Sequence, residues 1–240
     1  MALPPRQQLE EGPILDPLFV HHYWRLSRRP SKGAARWVAA KMRKLGVPPS
    51  GRVLDVGCGP GWLVRFLAEL FPAMRFVGLD ASEPMIVRAR SGPLRGGDHA
   101  PTGRVQFLVG DGQQLPFRDG QFNLVISGAT LHHVANPVAL FDEIARVLAA
   151  DGHVIISDLN RSVPGLLWPV VVAADWIERR LRPTPARHLS EGFVSSYKAA
   201  YDPEEIRRFL GQSKLGPHVR YYPGWLQHWI QTPPRPSSNK

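Results

Sequence analysis

The 240-residue chain has one cysteine, Cys58, so no intramolecular disulfide can form. That excludes the small disulfide-stapled scaffolds and fits a reducing compartment. No group of His, Cys, Asp and Glu has metal-ligand spacing, so no metal is implied. Long hydrophobic runs are also missing. The longest, VPGLLWPVVVAA at 163–174, is too short to span a bilayer and contains prolines. The N-terminus, MALPPRQQLEEGPILDP, has early acids and prolines but no apolar core segment, and does not read as a secretory signal. These absences lead us to expect a soluble, cytoplasmic protein.

Acids are in deficit as well, and the formal net charge is +10. The imbalance is uneven. Residues 1–50 carry nine Lys/Arg against three Asp/Glu, residues 51–160 carry nine against eleven, and residues 161–240 carry twelve against six. A basic margin can attract nucleic acid, an anionic membrane or an anionic substrate, or can simply solubilise the surface. The basic residues are scattered and no RNA-binding module is recognisable, so a nucleic-acid partner is not expected.

What is present is a β-α alternation from residue 52 to 159, without internal repeats. Short apolar strands read at RVLDV (52–56), RFVGLD (75–80), RVQFLVG (104–110), FNLVIS (122–127) and HVIISDL (153–159). Helices read at 31–46 (Ser31 as N-cap, Gly46 as stop), at 62–71, from Ser82 to about Arg90, and at 136–152 (Asn136 as cap, Gly152 as stop). Residues 1–30 read as a Pro-rich irregular segment with an aromatic and histidine cluster at 19–24. The alternation predicts a doubly wound, mostly parallel sheet with helices on both faces and the ligand outside the strand carboxyl ends.

A glycine turn, VGCGPGW, follows the first strand. Its G-x-G-x-G spacing, preceded by Asp55, differs from the G-x-G-x-x-G dinucleotide fingerprint. A carboxylate there would repel a phosphate and suit a cation. Asp80 ends the second strand, where a carboxylate suits a ribose diol. Asp111 follows the third strand and could accept from a purine amine. Adenosine with a cationic amino-acid tail and no phosphate fits all three; S-adenosylmethionine has those parts.

The stretches VLDVGCGPGWLVRFLA, VGLDASEPMIVRAR and VGDGQQLPFRDGQFNLVISGATLHHVANP resemble the class I S-adenosylmethionine-dependent methyltransferases, in particular the small-molecule group that includes quinone-ring methyltransferases. The resemblance covers about residues 30–160. It implies a Rossmann-like seven-stranded sheet, its last strand antiparallel; the residues themselves read as a helical lid insertion at about 161–200 and a flexible tail at 233–240. The resemblance implies S-adenosylmethionine as cofactor and S-adenosylhomocysteine as product. Carried over by position, Gly57, Gly59 and Gly61 would admit the methionine part of the cofactor, and Asp55 would attract its ammonium. Asp80 would bind the ribose, Ala81 and Met85 would flank the adenine, and Asp111 with Gly112 would address its amine and ring nitrogen. Ser127 would offer its carbonyl to the ammonium, with Gly128 beside it. Two departures stand out: Asn123 replaces a common acid in FNLV, with little expected effect, and the fourth motif, ISGATLHH, lacks the D/N-P-P-Y signature of base-amine and amide methylation.

Methyl transfer from a sulfonium needs alignment and water exclusion, and a base only if the acceptor is protonated. His132 and His133 are the candidate bases, each with capping or packing as the alternative. His21, His22, Tyr23 and Trp24 could close over the cofactor. GLLWPVVVAADWIERRL, with Trp168 and Trp176, is apolar nearly all round, so it is expected to be buried or to line an apolar pocket. As an acceptor lid it suggests a small lipophilic or aromatic acceptor, and with its flanking arginines it could also rest on a membrane surface. An RNA methyltransferase and a catalytically silent cofactor-binding protein are the competing readings. The oligomeric state is left open.

Overall fold

In the computed structural model, residues 6–7, 16–91, 103–181 and 192–234 are described. β1 (Arg52–Val56), β2 (Arg75–Asp80), β3 (Val105–Val109), β4 (Phe122–Gly128) and β5 (Leu148–Leu159) pair in parallel. β6 (Arg220–Pro223) and β7 (Gln227–Gln231) complete a seven-stranded sheet of order β3-β2-β1-β4-β5-β7-β6, with β7 antiparallel to both neighbours. The Pro-Gly link between them closes tightly: Gly224 N–H donates to the Gln227 carbonyl at 2.9 Å.

Period-two alternation sends the strand side chains into two cores. Val53, Phe76, Ile126 and Ile155 pack under α1 (Pro17–Leu45), α2 (Trp62–Leu70) and α3 (Glu83–Ser91). Leu54, Val125, Val154 and Ile156 pack under α4 (Pro137–Val147) and α7 (Pro203–Gln212). The carboxyl end of β5 carries a smaller cluster in which Leu159, Val171, Tyr197 and Ala200 are buried, joining α5 (Trp168–Leu181) and α6 (Phe193–Ala199).

Local chemistry explains most boundaries. Asn136 caps α4 by accepting from Ala139 N–H at 3.2 Å, with Pro137 in the first turn. Asp202 and Glu205 form a reciprocal capping box on α7. Ser82 Oγ accepts from Met85 N–H at 3.3 Å. Asn123 Oδ1 accepts from Arg52 N–H at 2.9 Å and so fastens the start of β1.

Two boundaries correct the sequence reading. The first helix starts at Pro17, not at Ser31, and runs 29 residues through Pro30. Asp16 caps it by accepting from Leu18 and Phe19 N–H at 2.7 and 3.1 Å, and burial of Phe19, Val20, Val38 and Met42 outweighs the hydrogen bond lost at Pro30. Residues 17–30 are therefore helical rather than irregular. The fourth helix stops at Val147, five residues before Gly152, because Leu148 already pairs with Phe122 at the start of β5. Of the expected lid and tail, residues 182–191 and 235–240 lie outside the described residues, with Arg182 and Arg187 among them.

Candidate active site

β1 and β4 are the neighbours at which the strand order reverses, so their carboxyl ends diverge at the switch point. The glycine turn sits there. Its backbone is tied to the end of β2: Gly57 and Cys58 N–H donate to the Leu79 carbonyl at 2.8 and 3.0 Å, and Gly59 N–H donates to Asp80 Oδ2 at 2.7 Å. Gly57 (φ 73°) has left-handed backbone, and a Cβ there would collide with the Thr130 side chain. A Cβ at Gly61 (φ 80°) would lie 2.7 Å from the Phe107 ring. These glycines thus let three elements meet at one point.

Asp80 uses both oxygens on backbone. Oδ1 accepts from Ser82 N–H at 2.9 Å, so the carboxylate organises the start of α3 as well as the glycine turn. Asp55 is different. It is 3% exposed, and none of the hydrogen bonds or ion pairs among the described residues engages its carboxylate. Burial and then the charge of Asp80 push its pKa up to about 8. A buried acid with a second carboxylate nearby and no described cation is a place for a cationic group of a ligand.

α1 roofs this half of the site. Tyr23 comes within 3.9 Å of where a Gly59 Cβ would stand. Phe19 and Val20 bury Met85, and Trp24 stacks on Trp62 at 5.1 Å. His22 Nε2 lies 3.9 Å from Glu178 of α5, linking roof and lid, while His21 is exposed. Ala81 is exposed at the start of α3. Asp111 is exposed and accepts from Gln113 N–H at 2.8 Å, which fixes its own loop beside Gly112. Ser127 is buried, its hydroxyl meets no partner among the described residues, and Gly128 after it is open. Ala129 follows at φ 53°, a conformation disfavoured for a residue with a Cβ and held by its N–H donating to Ser157 O at 2.9 Å.

The other half holds a pair that the sequence reading did not assemble. His132 Nδ1 is 2.7 Å from Asp158 Oδ1, and both residues are only 3% exposed. Asp158 also accepts from His132 N–H at 3.3 Å and from Leu159 N–H at 2.6 Å. Burial works to raise the Asp158 pKa, but the His132 charge and these hydrogen bonds outweigh it and hold the carboxyl below its usual value. The His133 ring lies tilted beside that of His132, 4.2 Å between centroids, and desolvation first, then the charges of His132 and Arg6, lower its pKa to about 4 against the opposing charge of Asp158. The two histidines are thus unequal: His132 is oriented by a carboxylate, and His133 is not. Arg6 braces the loop by donating to the His132 carbonyl at 2.8 Å. The available signal for Asp158 was its position at the end of the fifth strand, on the same edge as the other site residues.

α5, the segment expected to be buried or to line a pocket, is exposed along most of its length. Trp168 is half-buried against the Leu159 cluster. Trp176 is 63% exposed, and only Val171 and Asp175 of α5 are buried. Beside the lid a shallow groove of about 540 Å³ is lined by Leu167, Tyr197, Trp225, Leu226 and Trp229.

Residues 54–156 match the family described as "Methyltransferase domain". A demethylmenaquinone methyltransferase of Listeria welshimeri is 30% identical over 75% of this chain and 72% of its own. A malonyl-[acyl-carrier protein] O-methyltransferase of Legionella pneumophila is 31% identical over 45% of this chain and 36% of its own. The solved plantazolicin methyltransferase BpumL, in complex with SAH, shares the fold at TM-score 0.66 and 15% identity, covering 92% of this chain and 93% of that one. The two relatives' names place their acceptors far apart, whereas both are methyltransferases. On that shared ground the chain belongs to the class I S-adenosylmethionine-dependent methyltransferases, with S-adenosylmethionine as its cofactor.

Proposed function

We propose that the chain methylates a small, lipophilic aromatic acceptor of the quinol class, with His132 as general base and Asp158 as its positioning partner. The observation that carries this reading is the 2.7 Å contact between His132 Nδ1 and Asp158 Oδ1 at the carboxyl edge of β4 and β5. With Nδ1–H donated to the carboxylate, Nε2 is the basic nitrogen, and a bound hydroxyl or ring carbon acid could give it a proton. The groove lined by Tyr197, Trp225 and Trp229 opens beside β7, whose His228 pairs with Asp158 across the sheet. Its aromatic walls suit an apolar ring. The relatives named demethylmenaquinone methyltransferases, matched over three quarters of this chain, support the same acceptor class.

The cofactor supplies a methyl carbon made electrophilic by its sulfonium, and the departing sulfur is neutral and needs no acid. The chain's residues bind and orient. Asp55 takes the ammonium, which suits its unpaired, buried carboxyl, and the Ser127 carbonyl with Gly128 adds to that contact. Gly57, Gly59 and Gly61 admit the methionine part. Asp80 accepts from the ribose hydroxyls with the lone pairs left over from Gly59 and Ser82. Ala81 and Met85 flank the adenine, and Asp111 with Gly112 meets its amine edge. Tyr23 of α1, together with α5, keeps water from the reacting groups.

Methyl-labelled S-adenosylmethionine is incubated with the protein and a host extract, and separately with a reduced, short-chain demethylnaphthoquinol. An Asp80→Ala variant serves as control. Label partitioning into the organic phase, absent with the variant, is the expected result. Label in RNA or protein, with none in the quinol, would overturn the acceptor reading.

A further inference from the structure

The outer face of α5 reverses the usual order of an exposed helix. Its two acids point inward: Asp175 is buried, ion-paired with Arg179 at 2.7 Å and accepting from Val194 N–H at 3.1 Å, and Glu178 faces His22 of α1. Its apolar residues point outward. Val170, Trp176, Ile177 and Leu181 are 58, 63, 52 and 60% exposed, in a stripe at helical spacing that the 89% exposed Leu166 extends. Among the described residues, six of the fourteen exposed large hydrophobic side chains fall between 166 and 181, whereas those of α2, α3 and β3 occur singly. Such a concentration marks a surface that is covered in use.

We propose that this face lies on an anionic lipid bilayer, in the plane of the headgroup boundary. Charge complementarity selects the occupant. The outer stripe carries no acid, the exposed Arg180 sits 5.8 Å from the Trp176 ring, and residues 161–240 hold twelve Lys/Arg against six acids. Indoles favour that boundary, and Trp225, 74% exposed at the tip between β6 and β7, supplies a second. Size argues against a second copy of the chain: a one-helix stripe of 14 residues, roughly 21 Å by 10 Å, offers on the order of 200 Å², against about 800 Å² per partner in a stable dimer. The helix cannot cross a bilayer, since no described helix is long and apolar enough. A helix with this face and these arginines is suited to lie on one instead. Leu167 and Trp225 then place the mouth of the aromatic groove at the lipid boundary, where an apolar acceptor would be concentrated.

The test sediments the full-length protein with vesicles of phosphatidylcholine alone and of phosphatidylcholine mixed with an equal part of phosphatidylglycerol. Neither cofactor nor acceptor is present, so the result stands apart from the acceptor reading. The wild type is expected to bind the mixed vesicles, less so as salt rises, and to bind pure phosphatidylcholine weakly. The triple variant Trp176→Ser, Ile177→Ser, Leu181→Ser should lose about tenfold or more in partitioning while keeping its Tm and cofactor Kd. Val87→Ser, at an exposed apolar residue of α3, should bind as the wild type does. Vesicles carrying brominated acyl chains should quench wild-type fluorescence more than that of Trp176→Phe. Absence of binding to mixed vesicles at low salt, undiminished binding by the triple variant, or a solution dimer that only the triple variant dissolves would each overturn the proposal.

Discussion

Between β1 and β3, carboxylates that face the cleft are tied to backbone N–H groups, next to them in the chain or across the β1–β2 pair. Asp80 holds Gly59 and Ser82, and Asp111 holds Gln113 two residues on. Between β4 and β5 two side chains meet instead: His132 and Asp158 are 26 residues apart and come together because the two strands are parallel neighbours with Gly128 opposite Ser157. The first half is a cradle whose shape is set by backbone geometry. The second is a junction whose chemistry depends on strand register. A domain that keeps its cradle while changing its junction would keep its cofactor and change its acceptor.

The comparison predicts that damage to the junction alters transfer and damage to the cradle alters binding. The largest effect should come from His132→Ala, which lowers kcat by about 10²–10³-fold with cofactor Kd unchanged. Asp158→Asn should lower it nearly as far, because an amide no longer fixes which ring nitrogen carries the proton. His133→Ala should cost little. Equal losses from both histidines would remove the distinction drawn between them. Next, Asp80→Ala should weaken cofactor binding by on the order of 2 kcal/mol, read by titration calorimetry, since it strips acceptors from two ribose hydroxyls and frees Gly59 N–H. Unchanged affinity would sink the ribose assignment.

A smaller effect is expected at the lid. Trp168→Ala should reduce kcat/KM for the acceptor by about tenfold while cofactor Kd holds. Because Trp168 packs on the cluster of Leu159, Val171 and Tyr197, the variant's Tm must be measured alongside. A parallel loss of cofactor binding would show that the residue supports the whole edge of the sheet rather than the acceptor.

The same contrast explains what could be read from the sequence. The glycine turn was legible because three glycines alternate directly after an apolar strand, whereas its tie to Asp80 depends on the pairing of β1 with β2. The junction was half legible. The LHH stretch named both histidines, but choosing between them needs Asp158, whose meaning arises only from the β4–β5 register. α1 was misread for a local reason. Asp16-Pro17 is a helix-start signal, yet Pro30 breaks the pattern and tertiary burial of Phe19 and Val20 overrides it. α5 was left open between burial, a pocket wall and a membrane surface for a global one. Its composition says apolar, but only the folded chain shows which side faces out, and here the acids occupy the inside.

The smallest effect follows from Asp55 and carries a definite sign. With a folded pKa near 8 against the usual 3.8, the cofactor-free native state keeps a proton that the unfolded chain has lost throughout the window between those values. The native state then binds more protons than the unfolded one, so the stability of the free protein falls as pH rises across that window. Asp55→Asn removes the penalty and should raise the cofactor-free Tm at pH 7, by an amount that shrinks as pH falls toward 4. The same change would remove the charge proposed to meet the ammonium, so the variant should gain less Tm on adding cofactor. With that assignment, binding by the wild type at pH 7 is expected to expel the Asp55 proton. Calorimetry in two buffers of different ionisation enthalpy should therefore register proton release that Asp55→Asn lacks. If the wild type releases none, the carboxyl is already ionised in the free protein, and the cradle is held open by some other cation.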